Sequence, residues 1–438
     1  MHDDATLAAQ LRSLIRPGDT LWWGQATAEP LTLTRALVRH RHALARGGRL
    51  GIFASYGSSD TLRAEHADVF DFAGCIAGGS HRQLAAAGVF DIYPGHYSQL
   101  PELLRQGSLA ADVVLVQVSP ADERGRHSLG LIQEYLPAAL QRARVVIGEI
   151  NPDIPWTYGE RYLEAADFDL LIDAAHAPLD AESAEPSAVE QAIAQRIAAH
   201  IDDGATLQVG IGKLPEAVLA LLHDRRDLGL HSGAAGDGIV ALAEAGVLNN
   251  ARKGRDAGVS VTGILMGSER LRRWAHRNPA LVLRGTGYTH DPAVLASLER
   301  LVAINGAIEV DVTGQVNAEV AGGRYVGGVG GSVDFLRGAA RSRGGLPIVA
   351  LPATARGATR IVVNLNGPVS TPRCDAGLIV TEHGVADLRG QPLSRRVERM
   401  IAIAAPEHRA GLEREAEAAL RRCGMGGVRP AGTPPHPA

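Results

Sequence analysis

The chain has 438 residues, a formal net charge of −4 and a hydrophobic fraction of 45%. This length allows two or three domains of roughly 100–200 residues each, with a sizeable core. The small negative charge, without a lysine or arginine run, argues against nucleic acid as the main partner, because phosphate binding needs a concentrated basic face. Three cysteines without short spacing fit neither a disulfide framework nor a zinc site, so we expect a reduced, cytoplasmic setting and no metal.

The N-terminal segment MHDDATLAAQLRSLIRPGD carries charges where a signal peptide needs an apolar stretch. No apolar run approaches the ~18–20 residues that span a bilayer. We therefore expect neither a secretion signal nor a membrane partner.

Short runs rich in valine, isoleucine and leucine alternate with helical patterns along the first half of the chain. The runs ADVVLVQVSP, RVVIGEI and FDLLIDAA are typical of buried strands, and QEYLPAALQRA, between the first two, is typical of a helix. Buried strands that alternate with helices predict a parallel sheet and an α/β architecture.

A polar segment with two prolines, HAPLDAESAEPS (His176 to Ser187), is the candidate linker. The regions on either side open alike, with LIRPGDTLWWGQATAEPLTLTRALV in the first and HIDDGATLQVGIGKLPEAVLALL in the second. Each runs from a helix end through an Asp/Gly turn, a strand and a glycine-containing loop to a helix, which indicates a duplicated domain. The predicted domains are 1–180 and 188–425, and the Pro-rich tail 426–438 is predicted to be disordered.

Four glycine-rich loops are candidates for ligand binding. The first contains Gly210 and Gly212, opens a helix after a strand and would point backbone N–H groups at an anion. The second spans Gly233–Gly238, and the third Gly285–Gly287. The densest contains Gly327, Gly328, Gly330 and Gly331. Any one loop is explained by turns alone, but several at strand ends favour a ligand site of an open α/β sheet.

Histidine and acidic side chains supply the candidate acid–base groups. His231, His290 and His383 each lie beside a loop of small or acidic residues, although from these residues alone an ordinary hydrogen-bonded histidine is favoured over a catalytic one. Glu309 and Asp311 alternate onto one face of a predicted strand. Their like charges would raise one pKa and could serve acid–base chemistry, and capping of nearby backbone is the alternative.

Several segments together resemble the acetyl-CoA hydrolase/4-hydroxybutyrate CoA-transferase family, a class I CoA-transferase family. The most specific are GGVGGSVDFLRGAARSRGG (Gly327 to Gly345) and IVTEHGVADLRGQPLSRRVERMIAIAAPEHR (Ile379 to Arg409), and the resemblance covers nearly the whole chain apart from the tail. It implies two tandem open α/β domains of the NagB/RpiA/CoA-transferase type, with the site in the cleft between them. It also implies a homodimer or larger homo-oligomer, an acyl-CoA substrate with a carboxylate acceptor, and no cofactor beyond the coenzyme A of the substrate.

In this family a glutamate carboxylate attacks the acyl-CoA carbonyl, and a glutamyl-CoA thioester forms by way of an anhydride. Glycine-loop N–H groups form the oxyanion hole, typically worth roughly 2.7–4 kcal/mol per donor. The family commonly writes the nucleophile segment as His-Thr-Glu followed by Asp-Gly. This chain has His231, Ser232 and Gly233, with Asp237 further on, so the nucleophile position has no side chain.

A second departure accompanies the first, because His290 stands where the family commonly has an asparagine. We therefore predict a catalytic set drawn from His290, His231, Ser232, Asp237 and Glu309 around Gly233. The resemblance assigns coenzyme A and oxyanion binding to Gly210, Gly212, Gly327, Gly328, Gly330, Gly331 and His383. It assigns substrate contacts to His96, Tyr97 and Ser98.

Three functions follow from these residues. The first is hydrolysis or related acyl transfer by direct attack on the acyl-CoA, with His290 or His231 as the base at an ordinary imidazole pKa of ~6.5. The second is CoA transfer that uses another carboxylate, such as Asp237 or Glu309, or a ternary complex. The third is a non-catalytic CoA-binding subunit.

Overall fold

The computed structural model describes residues 3–181 and 184–422, which form two α/β domains. The first domain is built on seven parallel strands in the order β7-β6-β5-β1-β2-β3-β4. Their bounds are β1 Thr20–Trp23, β2 Leu50–Phe53, β3 Phe70–Gly74, β4 Phe90–Ile92, β5 Val113–Val118, β6 Val145–Ile150 and β7 Leu170–Asp173. The helices of this domain are α1 Asp4–Leu14, α2 Leu31–Arg39, α3 Arg41–Ala45, α4 Arg82–Ala86, α5 Leu100–Gln106 and α6 Leu136–Arg142.

The second domain is built on a six-stranded sheet in the order β9-β8-β10-β11-β12-β13, and only the last pair is antiparallel. The strands are β8 Thr206–Val209, β9 Gly229–Leu230, β10 Leu301–Gly306, β11 Leu346–Ala350, β12 Leu378–Thr381 and β13 Gly384–Asp387. The helices are α7 Ala188–Ala198, α8 Lys213–Ala220, α9 Gly238–Glu244, α10 Glu269–Ala275, α11 Thr286–Thr289, α12 Pro292–Ser297, α13 Ser332–Arg341, α14 Leu393–Ala402 and α15 Pro406–Arg422.

The central strands are buried on both faces, which explains their uninterrupted apolar sequences. All six residues of β5 are buried, and so are all four of β8. Parallel strands covered by helices on both sides need such runs, because neither face meets water. The three strands and the helix predicted in the first half are confirmed as β5, β6, β7 and α6.

Both domains open with the same order of elements, namely α1-β1-α2 in the first and α7-β8-α8 in the second. The candidate linker lies between the two sheets, and its described residues form neither helix nor strand. The exact domain limits stay a prediction, and the predicted disordered tail lies outside the described residues. Within the described part of the chain, no helix is both long and apolar enough to cross a bilayer.

The two domains share a continuous apolar interface. One hydrophobic cluster includes Trp22 and Leu131 of the first domain together with Val209 and Leu265 of the second. A small parallel sheet also joins the domains, because the first-domain strand Tyr158–Gly159 pairs with Leu281–Leu283, which pairs in turn with Ser260–Thr262. The two domains are therefore held together by packing and by strand pairing as well as by the linker.

Further short strands lie outside the two main sheets. They are Tyr56–Gly57, Gly78–Gly79, Arg126–Ser128, Tyr162–Glu164, Ala234–Ala235, Ile264–Leu265, Glu309–Asp311, Val316–Asn317, Val320–Ala321, Arg324–Tyr325, Thr354–Ala355, Ala358–Thr359 and Ile361–Val362.

One buried carboxylate ties the domains together at the first turn of α13. Asp334, 7% exposed, accepts hydrogen bonds from the Ser98 hydroxyl at 2.7 Å and from the Ser98 backbone N–H at 3.2 Å.

Replacement of Asp334 by Ala leaves both Ser98 donors without a partner, and we expect the free energy of unfolding to fall by about 1–3 kcal/mol in urea denaturation. Asp375→Ala is the control: it removes a half-exposed pair with Arg337 on the same helix and should cost under about 1 kcal/mol. Equal losses would show that the Ser98 contact adds nothing specific.

Candidate active site

His290 lies at the end of the one-turn helix α11, and its ring fills the space between two glycine segments. A Cβ atom built on Gly233 would lie 3.2 Å from both Cε1 and Nε2 of His290, and one built on Gly331 would lie 2.2 Å from Nε2. Phe335 and Tyr97 complete the surroundings, with ring centroids 4.7 and 5.7 Å from the imidazole. The histidine therefore occupies the place into which a side chain at position 233 would project.

The hydrogen bonds of His290 are satisfied by one tautomer, with the proton on Nδ1. In this assignment the Thr289 hydroxyl donates to the Gly285 carbonyl at 3.2 Å, and its oxygen accepts from Nδ1–H of His290 at 2.8 Å. Nε2 then carries a lone pair. Nε2 has no hydrogen-bond partner among the described residues, and it remains partly accessible to solvent. This nitrogen can accept a proton from a bound molecule.

Burial changes the proton affinity of this imidazole. His290 is only 3% exposed, and loss of solvation lowers its pKa to about 3, so it is neutral at physiological pH. The ordinary imidazole pKa predicted from the sequence is therefore wrong for His290, because burial lowers it.

The dense glycine loop packs against the first domain. A Cβ atom on Gly328 would lie 2.1 Å from the carbonyl oxygen of Cys75 in the first domain, whereas one on Gly327 would lie 2.2 Å from the carbonyl oxygen of Ala318 within the second domain. The Gly330 carbonyl accepts from Tyr97 N–H at 3.1 Å, and Gly330 has a φ of +55°. Glycine is thus required for close backbone approach between the domains.

The same loop ends at the N-terminus of α13, where Gly331 is the N-cap and no side chain caps the helix. The first-turn N–H groups of a helix have no intrahelical acceptor and favour negative charge. Gly331 and Ser332 are half-buried beside His290, so these donors lie next to the imidazole.

We expect Gly331→Ala to displace the imidazole, because His290 is enclosed by Gly233, Phe335 and Tyr97 and cannot move away cheaply. The overpacking should lower the free energy of unfolding by about 1–3 kcal/mol, as measured by thermal unfolding. Gly306→Ala is the matched control, since a Cβ there meets nothing within 4 Å. A Gly331→Ala variant as stable as the wild type would contradict the placement of His290.

His231 and Ser232 lie beneath this site with their polar atoms directed at backbone. His231 donates through Nε2 to the Thr289 carbonyl at 3.1 Å, while its Nδ1 is buried without a partner. Burial lowers the pKa of His231 to about 3. The Ser232 hydroxyl donates to the Val209 carbonyl at 2.8 Å. Both side chains are fully buried and hold the segment that leads into Gly233.

A cleft of about 950 Å³ opens between the domains beside the Gly233 segment. It is lined by Tyr56 and Ser58 from the first domain and by Gly212, Asp237 and Met266 from the second. Ligand pockets commonly measure ~300–1,000 Å³, so the cleft can hold a molecule of that size. Residues 233–237 run from the His290 ring to the cleft wall.

Comparison with known sequences decides the family. The pattern of the acetyl-CoA hydrolase/transferase N-terminal domain matches residues 6–172, and that of the C-terminal domain matches residues 267–416. The chain belongs to the acetyl-CoA hydrolase/transferase family. It is an enzyme of the acyl-CoA hydrolase/transferase class, because its relatives are named as CoA-transferases and acetyl-CoA hydrolases.

The similarity extends over nearly all of the chain. The 4-hydroxybutyrate coenzyme A transferase of Clostridium kluyveri is 35% identical over 397 residues, which cover 90% of this chain and 92% of that protein. The crystal structure of RipA from Yersinia pestis superposes with a TM-score of 0.88 at 30% identity, over 96% of this chain and 100% of that one. A 4-hydroxybutyrate CoA-transferase from Porphyromonas gingivalis superposes with a TM-score of 0.79 at 32% identity, over 95% and 97% of the two chains.

Other residues predicted for this acetyl-CoA hydrolase/transferase site make structural contacts. Tyr97 contacts His290, but the backbone of Tyr97 and both polar groups of Ser98 bind the second domain. His96 is half-buried beside them, with Nδ1 buried and unpartnered. Gly210 precedes the cleft residue Gly212, which has a φ of +107° and begins α8.

Three predicted side chains lie apart from His290. Glu309 accepts from the Asn366 backbone N–H at 2.6 Å and from the side-chain amides of Asn317 and Asn366. Asp237 accepts from the N–H and hydroxyl of Ser268 at 2.9 Å. His383 lies in the β12–β13 turn, and two strands, β10 and β11, separate β12 from β8; its Nε2 is 3.8 Å from Glu382. The contacts of Glu309 match the capping alternative.

Glu134, Gln25 and Phe335 also lie at the site, and no sequence pattern predicted them. Glu134 lies in the segment QEYLP that predicted a helix, where a glutamate just before the first turn is unremarkable. In the fold it is 3% exposed and accepts from Gln25 Nε2 at 2.6 Å. Phe335 follows from the apolar face of α13, but its contact with the imidazole depends on the tertiary structure.

Proposed function

We propose that this protein hydrolyses acyl-CoA thioesters by direct attack of water, without a glutamyl-CoA intermediate. The observation that supports it most is the imidazole of His290 in front of Gly233. Position 233 has no carboxylate that could be acylated, and a neutral nitrogen with a free lone pair lies there in its place.

In the proposed reaction, Nε2 of His290 takes a proton from water while the water oxygen attacks the thioester carbonyl carbon. The negative charge that develops on the carbonyl oxygen stabilises the imidazolium and offsets the low proton affinity of the buried ring. The carbonyl oxygen becomes an oxyanion, which the N–H groups at the start of α13 stabilise; one such donor is typically worth about 2.7–4 kcal/mol. The tetrahedral intermediate then expels the CoA sulfur, which receives the proton held by His290. The products are a carboxylic acid and free coenzyme A.

The interdomain cleft is the proposed place for the thioester arm, because its wall includes Asp237, which lies four positions along the chain from Gly233. Coenzyme A enters as part of the substrate, and the proposed chemistry needs no other cofactor. We further propose a cytoplasmic homo-oligomer; the support for the location is the free thiols of Cys75 and Cys374, and the support for the assembly is the family resemblance alone.

A thiol-release assay with a panel of acyl-CoA esters, with and without acetate, tests the proposal. We expect release of free CoA that needs no acceptor and gives one carboxylate for each thiol. Acceptor-dependent exchange without net release of thiol would overturn it.

CoA transfer is the second candidate, favoured by the transferase names of the relatives and by Asp237, a carboxylate in the cleft wall. A covalent glutamyl or aspartyl thioester is reduced by borohydride with loss of CoA, so mass spectrometry of the treated protein separates the candidates. Direct attack predicts no modified carboxylate, whereas a reduced Asp237 would favour transfer.

A further inference from the structure

Glu134 is a buried carboxylate in the same small region as His290. Its backbone carbonyl accepts from Thr286 N–H at 2.8 Å, and His290 N–H closes the same single turn on the Thr286 carbonyl at 3.1 Å. A Cβ on Gly263 would lie 2.9 Å from Glu134 Cγ and 2.8 Å from the Gly233 carbonyl oxygen. The single turn of α11 therefore links the Glu134 backbone to His290, and the Glu134 side chain and the Gly233 backbone both lie against Gly263.

The hydrogen bonds fix which oxygen of Glu134 is free. Tyr56 N–H donates to Gln25 Oε1 at 3.1 Å, so the amide nitrogen of Gln25 faces Glu134 and donates to its Oε2 at 2.6 Å. Oε2 thus acts as an acceptor. Oε1 has no hydrogen-bond partner within the described ranges, and it remains partly accessible to solvent. A proton on this carboxyl group is therefore carried by Oε1.

The backbone at Glu134 is held in an unusual conformation. Its φ is +35°, in a region that only a few per cent of residues other than glycine adopt. Such strain persists where the surrounding structure enforces it, and it concentrates at functional sites. The strain here places the side chain under Gln25, which contacts the cleft residue Tyr56.

The phenols and the thiol packed around Glu134 are neutral over the working pH range. Burial raises the pKa values of the Tyr97 and Tyr135 phenols, and it raises that of the Cys75 thiol to about 12. Two nearby charged side chains have other partners: Glu160 accepts from Gly285 N–H, and Arg284 lies over the Tyr288 ring. None of these is a cation paired with Glu134, and burial raises its pKa to about 8.

We propose that Glu134, as a neutral carboxylic acid, donates a hydrogen bond from Oε1 to the thioester carbonyl oxygen while His290 deprotonates water. This inference rests on the proposed function and assigns a further catalytic residue to it. A carboxylic acid kept neutral by its surroundings is an established kind of oxyanion donor.

The reaction remains balanced with this addition. Water loses a proton to Nε2 as its oxygen bonds to the carbonyl carbon, and the developing oxyanion shares the Oε1 proton of Glu134. When the carbon–sulfur bond breaks, the carbonyl re-forms, the Oε1 proton returns fully to Glu134 and His290 protonates the leaving sulfur. Neither residue is consumed.

Thioester hydrolysis measured from pH 6 to 10, with the non-enzymatic rate subtracted, tests this role. The wild-type rate should fall above about pH 8, because the donor proton is then lost. Glu134→Gln retains a donor at this position, since its amide oxygen can accept from Gln25, so it should keep activity within about tenfold and lose the alkaline decline. Glu134→Ala should lose roughly 100- to 1,000-fold, the usual effect of a missing oxyanion donor.

The matched control is Glu149→Gln, which alters a buried carboxylate of the first domain that accepts from Thr32 and Leu33 N–H. It should keep the alkaline decline of the wild type. An unchanged decline in Glu134→Gln, or full activity in folded Glu134→Ala, would overturn the inference.

A second measurement separates this inference from the proposed function. A ketone analogue, in which a methylene group replaces the thioester sulfur and the carbonyl carbon is ¹³C, is bound to wild type and to Glu134→Gln. Infrared spectroscopy should show a lowered carbonyl frequency in both at pH 7, and only the wild type should lose that shift above pH 8. If these shifts occur without hydrolysis of any acyl-CoA, the proposed function fails and the Glu134 contact stands. If hydrolysis occurs and the frequency does not respond to pH, Glu134 is not the donor.

Discussion

The variant His290→Asn should hydrolyse acyl-CoA about 100- to 10,000-fold more slowly than the wild type, with the Michaelis constant changed only a few-fold. Asparagine fits the enclosed space between Gly233 and Gly331, but it cannot accept the proton of the attacking water. Steady-state thiol release gives kcat and KM. The wild-type rate should stay level through pH 6.5, because burial holds the pKa of His290 near 3 and the base stays unprotonated.

His383→Asn is the matched control, because that histidine lies in the β12–β13 turn and makes no contact with the His290 ring. It should leave kcat within about twofold of the wild-type value. A rate that falls with a midpoint near pH 6.5, or equal losses in the two variants, would contradict the assignment of His290 as the base.

The second large effect is expected when the carboxylate of the family is restored. Gly233→Glu places a Cβ atom 3.2 Å from the His290 ring and 3.5 Å from Phe335, so we expect a loss of about 1–3 kcal/mol in stability. In a His290→Asn background the smaller side chain leaves room, and most of that loss should disappear. The four variants of this cycle, followed by thermal unfolding, give the coupling free energy between positions 233 and 290, and contacting residues typically couple by about 0.5–3 kcal/mol.

The double variant also tests the chemistry. With a glutamate at position 233 and no imidazole in front of it, acceptor-dependent CoA exchange should appear, together with a borohydride-reducible adduct at residue 233. Gly306→Glu, at a strand end where a Cβ meets nothing within 4 Å, controls for the added charge and volume. Additive stability losses would show that the two positions do not share one space.

The sequence by itself determined much of the fold. The buried runs that became β5 and β6 can only be strands covered on both faces, and the matching openings of the two halves predicted two similar domains. It also determined that position 233 has no side chain and that a histidine stands at position 290, since residue identity needs no coordinates.

Only the tertiary structure decided what these residues do to one another. The contact between Gly233 and His290 joins segments 57 positions apart, and no local pattern encodes it. The low pKa of His290 and the high pKa of Glu134 arise from loss of solvation, which depends on everything packed around them. The positive φ of Glu134 is likewise imposed by its neighbours, so a glutamate that looks ordinary in the sequence becomes a buried acid beside the cleft.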